Sequence, residues 1–295
     1  MKTPIRYAGG KTKAIKQIMP YLQYHNRIVS PFIGGGSLEV FLASQGKEVI
    51  GFDLFDVLVN FWNVLLNNKD ELVLKLKEIQ PTIDEYNRIK DILLSWDKTQ
   101  KMLKDWKTDY YKKDDVIVLD DITAAAYYYF NHNTSYGPGY LGWGSSLYLT
   151  QPKWDKMIQK ISEFNLPNLS VFNESFEKVI PIYDKEMLYL DPPYYLQKDS
   201  DNKMFTGIYP MRNIPVHHEG FNHELLRDLL YNHKGPFVLS YNNCETIRDY
   251  YKDFEQYFPV WSYSMGNGET RVGKNRKEMG ITNSKDSHEI LIIKR

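Results

Sequence analysis

The nine residues Met187-Leu-Tyr-Leu-Asp-Pro-Pro-Tyr-Tyr195 limit what this chain can fold into more than any other stretch. Met187 to Leu190 is a short apolar run stopped by two prolines, the pattern of a buried strand with an abrupt end. Asp191 then sits at the C-terminal edge of a strand, where open α/β sheets place their ligands. Pro192 and Pro193 have fixed φ and no N–H, so the turn is stiff and leaves bare carbonyls. Tyr194 adds a flat aromatic face beside the carboxylate. These groups on one stiff turn suit a planar ring bearing an amino group; an ordinary acidic loop after a strand is the alternative reading at this point.

Earlier in the chain, residues 27–30 read as a strand, followed by Pro31-Phe-Ile-Gly-Gly-Gly-Ser37 and a helix over 38–44. Strand, glycine turn, helix is how a Rossmann-like sheet lets a ligand approach the backbone closely. The spacing is not G-x-G-x-x-G, which counts against a dinucleotide. Residues 48–52 form a second strand ending at Asp53, an acid placed to accept hydrogen bonds from a ribose diol. Upstream, Arg6-Tyr-Ala-Gly-Gly-Lys11 precedes a helix over 14–22. Gly-Gly-Lys-Thr invites a phosphate-loop reading, but Ile5 stands where that motif needs glycine and no strand precedes it. An ATP site is rejected; a basic turn at a helix start still suits a carboxylate or phosphate.

Residues 54–166 differ in character. Helical spacing marks 70–78 and 83–94, residues 96–115 are charged and read as a solvated connection, and Asp121 caps a helix over 122–130. Residues 131–143, Asn-His-Asn-Thr-Ser-Tyr-Gly-Pro-Gly-Tyr-Leu-Gly-Trp, read as a glycine-punctuated loop or hairpin. Thr150 and Pro152 open a helix over 153–164. The sheet resumes at 169–172 and 187–190, followed by a helix over 223–231, a strand over 237–241 and a helical or linking segment over 250–257. Segments 259–263 and 289–293 are expected to pair as a closing antiparallel ribbon. Between them Arg271, Lys274, Arg276 and Lys277 form a basic stretch, a solvated loop by default and a phosphate-contacting loop as the sharper alternative. His217 and His218 lack any metal-ligand spacing, so no metal is expected.

Composition narrows the setting. Cys244 is the sole cysteine, so no intrachain disulfide forms and a reducing compartment is the natural home. No apolar run is long enough to span a bilayer, and the N-terminus lacks a secretory signal pattern. The formal charge of +0 means that nucleic-acid binding must use local patches. Tyrosine is abundant at 23 residues, which suits base stacking and half-buried packing equally.

In order, Arg6-Tyr-Ala-Gly-Gly-Lys11, Pro31-Phe-Ile-Gly-Gly-Gly36, Asp53 and Asp191-Pro-Pro-Tyr194 resemble the motifs of the Dam-type DNA adenine-N6 methyltransferases. The resemblance covers nearly the whole chain. It implies a Rossmann-like class I methyltransferase sheet of the α/β class, built from residues 1–54 and 167–295, with a mainly helical target-recognition insertion over 55–166. It implies S-adenosylmethionine as cofactor: Tyr7 and Lys11 contacting it, Lys11 near its carboxylate, Phe32, Gly34, Gly35 and Gly36 lining it, Asp53 on its ribose. The family often has Lys-Trp where this chain has Arg6-Tyr7, and Asp-Phe where it has Ser175-Phe176. Phe176 is kept as a cover for the cofactor's adenine, without Ser175. Residues 131–143 and 203–223 look more like methyltransferases that modify CATG than like those of GATC.

The chemistry explains the residues. Adenine N6 is a poor nucleophile because its lone pair is delocalised into the ring. If the Asp191 carboxylate and the Pro192 carbonyl each accept an N6 hydrogen, the amine is pushed toward tetrahedral geometry and its lone pair is freed. Pro193 stiffens the turn, Asp191 stabilises the charge growing on N6 beside the cofactor, and Tyr194 stacks on a base swung out of the duplex. Arg6, Tyr136 and Tyr140 are expected base or groove contacts, and Arg271 and Lys274 phosphate contacts. The expected partner is double-stranded DNA, with the protein a monomer or homodimer, away from membranes, in the cytoplasm or a viral host's interior. An RNA or protein N-methyltransferase on the same fold and a decayed DNA-binding module are the rival readings; a nicotinamide dehydrogenase is disfavoured by the glycine spacing.

Overall fold

The computed structural model describes residues 1–7, 9–105, 111–137, 139–195, 221–259, 262–264, 284–286 and 289–295. At its centre is a seven-stranded sheet with strands β1 (Arg27–Ser30), β2 (Glu48–Asp53), β3 (Leu169–Asn173), β4 (Leu188–Leu190), β5 (Phe237–Asn242), β6 (Glu255–Tyr257) and β9 (Glu289–Lys294). Their order is β3-β2-β1-β4-β5-β9-β6. The pairs from β3 through β5 are parallel, and β9 runs antiparallel to both β5 and β6. This is the Rossmann-like α/β sheet that the two strand–turn motifs led us to expect.

The central strands are mostly apolar because both faces are covered. Side chains of a strand alternate between faces, and here the alternation sorts them into two hydrophobic clusters. Ile28, Tyr189, Val238, Leu291 and Ile293 join one cluster. Val29, Leu188, Leu190, Leu239, Ile290 and Ile292 join the other. Each such side chain contributes roughly 1.5–3 kcal/mol of burial, so continuous apolar strands are what a doubly covered sheet requires. The second cluster is completed by α9 (Phe176–Ile182), α10 (His223–Asn232) and α11 (Glu245–Tyr250).

Helices α1 (Ile15–Leu22) and α2 (Ser37–Ser44) pack on the first face. So does the helical block α3 (Asp56–Asn67), α4 (Lys69–Glu78), α5 (Ile83–Ser95), α6 (Asp97–Asp105), α7 (Asp121–Thr134) and α8 (Gln151–Ser162). Within that block α7 packs on α3, α4 and α5, while α3 also lies against β3. Local chemistry sets several starts. Thr82 Oγ1 accepts the Glu85 N–H at 3.2 Å, opening α5. Asp120, Ser175 and Asn222 accept backbone N–H groups at the starts of α7, α9 and α10.

Four expectations are corrected. Residues 97–105 are helix, not a solvated connection: Trp96, Thr99 and Leu103 are fully buried at helical spacing, a stripe too narrow to show through the surrounding charges. The cap of α7 is Asp120, not Asp121. That helix runs on through Asn131-His-Asn-Thr134, which had read as loop; all four residues are buried there. Finally, residues 289–293 pair with β5 and β6. Residues 262–264 (β7) pair instead with 284–286 (β8). The segments 197–220 and 271–277, with the two adjacent histidines and the basic loop, lie outside the described residues. Among the described residues, no helix is long and apolar enough to cross a membrane.

Candidate active site

The chain leaves β1 toward β2 on one side, and leaves β4 toward β5 on the other. Where strand order reverses, the C-terminal ends of β1 and β4 open a crevice. The two turns singled out in the sequence therefore face each other across one opening.

The glycine turn is tight. Gly36 N–H donates to the Ile33 carbonyl at 2.8 Å, and Ile33 N–H reaches the Phe52 carbonyl at 2.8 Å. Gly34 and Gly36 have φ of +48° and +63°, a region that favours glycine. Asp53 ends β2 beside this turn. One carboxylate oxygen accepts Gly34 N–H at 3.0 Å and the other accepts Phe55 N–H at 2.9 Å. The Trp62 indole N–H donates to the Gly34 carbonyl at 3.1 Å, forming the floor. Phe32 stacks obliquely on Phe176 at 5.5 Å, and Phe221 closes the trio.

The N-terminal arm crosses this turn. Thr3 Oγ1 donates to the Gly35 carbonyl at 2.5 Å. The Tyr7 ring lies so close over the turn that a Cβ on Gly35 would stand 2.3 Å from Tyr7 Cβ. The arm is held from behind by α7. Arg6 N–H donates to Asn133 Oδ1 at 2.8 Å, and its guanidinium donates to the carbonyls of Asn133 and Ser135 while lying over the Tyr148 ring. His132 Nε2 meets the Arg6 carbonyl at 2.7 Å. Burial pushes the His132 imidazole down to about 4, so it is neutral and donates this bond. Removing the Asn133 side chain orphans the part-buried Arg6 N–H, a loss of about 1–3 kcal/mol. Asn133→Ala is expected to melt several degrees below wild type and to bind nucleoside ligands more weakly, both read by thermal unfolding with and without ligand.

On the other side of the crevice, Lys11 ties the arm to the proline turn. It is 4% exposed, and its ammonium lies 2.8 Å from Asp191 Oδ1. It also donates to Tyr194 Oη at 2.9 Å and to the Gly9 carbonyl at 3.2 Å. Burial pushes the Asp191 carboxyl up to about 6; Lys11 pulls it down and Glu289 pushes it further up. Asp191 keeps 24% exposure, so it can be reached from outside. Pro192 is buried, while Pro193 and Tyr194 line the opening. The turn's exit is fixed by Asn242 at the end of β5. Its side chain accepts Tyr195 N–H at 2.8 Å and donates to the Tyr195 carbonyl at 2.9 Å.

Tyr7, Lys11, Phe32, Gly34, Gly35, Gly36, Asp53, Phe176, Asp191, Pro192, Pro193 and Tyr194 thus gather around one crevice. The expected DNA contacts divide. Tyr136 is exposed on a hairpin where its N–H donates to the Trp143 carbonyl at 2.8 Å, and Trp143 is exposed beside it. Arg6 and Tyr140 are half-buried and make contacts within the protein. Arg6 Nη1 donates to two protein carbonyls, and Tyr140 shares a 2.6 Å hydrogen bond with Thr99 while packing on Phe55 and Tyr128. Both shape the hairpin from within. Arg271 and Lys274 lie outside the described residues.

Sequence reasoning missed Asn242, Glu289 and Glu39. Asn242 was visible as an amide at a strand's C-terminal edge, and Glu289 as an acid opening a wholly apolar strand. Glu39 accepts from Ser30 Oγ at 2.7 Å, and burial pushes it up to about 7. Among the described residues, no group of three or more His, Cys, Asp or Glu is arranged to hold a metal.

Comparison with known proteins agrees with this geometry. The model of the D12 class N6 adenine-specific DNA methyltransferases matches residues 7–265. A curated relative, the Type II methyltransferase M1.LlaDCHI of Lactococcus lactis subsp. cremoris, is 27% identical over 263 residues. That alignment covers 84% of each chain.

Proposed function

Because the chain belongs to the D12 class N6 adenine-specific DNA methyltransferase family and so is a DNA adenine methyltransferase, we propose that it methylates one adenine within a short recognition sequence of double-stranded DNA, using S-adenosylmethionine. The observation that carries this reading is the meeting of Asp191-Pro-Pro-Tyr194, Lys11 and the glycine turn at the switch between β1 and β4. Membership in this family sets aside the RNA and protein alternatives.

The residues present fit the cofactor. A Cβ on Gly34 would stand 3.2 Å from the Tyr7 ring, and one on Gly36 2.8 Å from Trp62, so only glycines let these two rings pack directly on the turn. Tyr7, Phe32, Gly34, Gly35, Gly36, Asp53 and Phe176 would hold the nucleoside, with Lys11 toward its carboxylate. When bound, the cofactor supplies an electrophilic sulfonium methyl. Asp53→Asn keeps an acceptor for Gly34 N–H but loses the charge. Hydrogen bonds to a charged group are worth about 1.5–3 kcal/mol, so the cofactor Kd is expected to rise about 10- to 100-fold by calorimetry, with stability lowered by about 1–3 kcal/mol because the Phe55 N–H loses its acceptor. An unaltered Kd would remove Asp53 from the pocket.

At the other wall, Asp191 and the Pro192 carbonyl accept the two N6 hydrogens, which frees the nitrogen lone pair for attack. The Asp191 charge offsets the positive charge that builds on N6. Tyr194 stacks on the target base, which must leave the duplex because its N6 is otherwise paired. The exposed pair Tyr136 and Trp143 supports a DNA-facing hairpin, and Arg271 and Lys274 are proposed phosphate contacts. The relative's description as a Type II methyltransferase supports a restriction–modification setting; a cytoplasmic location, or a viral host's interior, is proposed with it. A monomer or homodimer is proposed, to be read by light scattering. CATG is the proposed site, on the resemblance across residues 131–143 and 203–223, the second of which lies outside the described residues. Methylome sequencing of DNA from a methylation-free host expressing the protein tests these together. N6-methyladenine in one short motif supports the reading, unmodified DNA overturns it, and a motif other than CATG overturns the specificity alone.

A further inference from the structure

Lys11 sits among more acceptors than it has hydrogens. An ammonium has three N–H donors, and Asp191 Oδ1, Tyr194 Oη and the Gly9 carbonyl stand at 2.8, 2.9 and 3.2 Å. A second carboxylate oxygen, Glu289 Oε1, stands at 3.6 Å, just outside hydrogen-bond range. Glu289 is buried at the start of β9, where its other oxygen accepts from Ser240 Oγ at 3.0 Å. Its register partner on β5 is Asn242, the residue that clasps the Tyr195 backbone. One cross-strand pair therefore braces the proline turn twice, through its backbone and through its counter-ion.

Methyl transfer asks Asp191 to turn from Lys11 to the hydrogens of the incoming amine. A buried ammonium that loses its carboxylate is strongly unfavourable, so a site with Asp191 alone would resist the exchange. We propose that Glu289 is a positioning residue for methyl transfer: as the target amine engages Asp191, a Lys11 donor passes from Asp191 to Glu289. The move is less than about 1 Å, from beyond contact to an ordinary hydrogen bond. The ammonium stays paired throughout, and Asp191 is released as a full carboxylate. The inference rests on the assignment of Asp191 to the target amine.

Among the described residues, the charged and titratable groups around Lys11 include Asp191, Glu289, Glu39 and Tyr194, and the carboxylate of a bound cofactor would join them. Glu39 is pushed up to about 7 by burial and so carries only part of a charge near neutrality. Glu289 is the second carboxylate in reach, and its charge also helps to hold Asp191 above the usual carboxylate range.

The test compares Glu289→Gln, Glu289→Asp and Asp191→Asn in the full chain, measuring kcat, both KM values and the pH profile of methyl transfer to duplex DNA. For Glu289→Gln, kcat is expected to fall about 10- to 100-fold, the scale of a small misplacement at a reacting centre. Both KM values should stay within about twofold, and the acid limb should move to lower pH, because a like charge beside Asp191 is gone. Glu289→Asp keeps the charge and should recover most of the loss. A double-mutant cycle with Lys11→Met should be non-additive, since Glu289 acts through Lys11. Wild-type kcat with an unmoved acid limb overturns the proposal, as does a loss that lies only in KM. Where Glu289→Gln fails to fold, Glu289→Asp decides: a lowered kcat at unchanged KM supports the exchange and a wild-type kcat overturns it. Normal transfer by Asp191→Asn would instead overturn the underlying assignment of Asp191.

Discussion

Asp191→Ala is expected to cut methyl transfer about a thousandfold or more while leaving cofactor affinity within a few-fold. The size follows from what is lost: a positioned acceptor for the amine hydrogens and the negative charge facing the nitrogen as it becomes cationic. Cofactor affinity survives because the glycine turn, Asp53 and the Phe32–Phe176–Phe221 trio do not depend on the carboxylate. Lys11 keeps Glu289 as counter-ion, so the fold should persist. Single-turnover assays with labelled cofactor and duplex DNA separate the two effects. Near-normal transfer by Asp191→Ala would sink the assignment. The same carboxylate sets a pH dependence. It must be ionised to accept hydrogens, and burial holds it at about 6. Turnover per free enzyme should therefore be flat above that value and fall as pH drops through about 6, about tenfold per further unit. An acid limb near 4, where an ordinary aspartate titrates, would mean that another group carries the step. Tyr194→Ala removes the stacking face, worth about 1–3 kcal/mol per base, and one acceptor of Lys11.

The parts of this site that could be read from sequence are those whose chemistry is local. Two prolines after an apolar run define a stiff turn wherever they occur, and glycines at 34 and 36 are needed because those positions are left-handed. Asp53 was legible because a strand-end acid follows the glycine turn by a fixed distance along the chain. The brace behind the proline turn was not, because Asn242 and Glu289 become neighbours only through antiparallel pairing of β5 with β9. The same holds for Asn131-His-Asn-Thr134. Polar residues ahead of a glycine-rich stretch look like loop until Arg6, distant in sequence, and Leu141 are seen to bond Asn133, His132 and Asn131 at the end of a helix. The contacts of Arg6 were hidden for a related reason: a cation in a basic arm gives no sign in sequence that its Nη1 donates to the carbonyls of Asn133 and Ser135. Helix α6 was hidden by composition, since one buried stripe of Trp96, Thr99 and Leu103 lies among charges.

The largest structural effect is expected at Gly36, where Gly36→Val should abolish cofactor binding and lower stability by about 2–5 kcal/mol. Two costs add. The backbone φ of +63° is one that a β-branched residue adopts only with strain of about 1–2 kcal/mol. A Cβ there would also stand 2.8 Å from Trp62 Cζ2, inside contact distance, and overpacking of this kind costs about 1–3 kcal/mol. Trp62 cannot easily yield, because it is fully buried and its indole N–H holds the Gly34 carbonyl. Any relaxation therefore moves the glycine turn itself, and with it the Gly34 N–H that Asp53 accepts. Thermal unfolding measures the first effect and calorimetric titration of the cofactor the second. A companion variant, Trp62→Phe, removes the indole donor and the clashing edge together. Placed on the Gly36→Val background it should recover part of the stability but little of the cofactor affinity, because the carbonyl of Gly34 loses its anchor. Recovery of both would mean that steric crowding alone, and not the indole hydrogen bond, keeps the turn in shape.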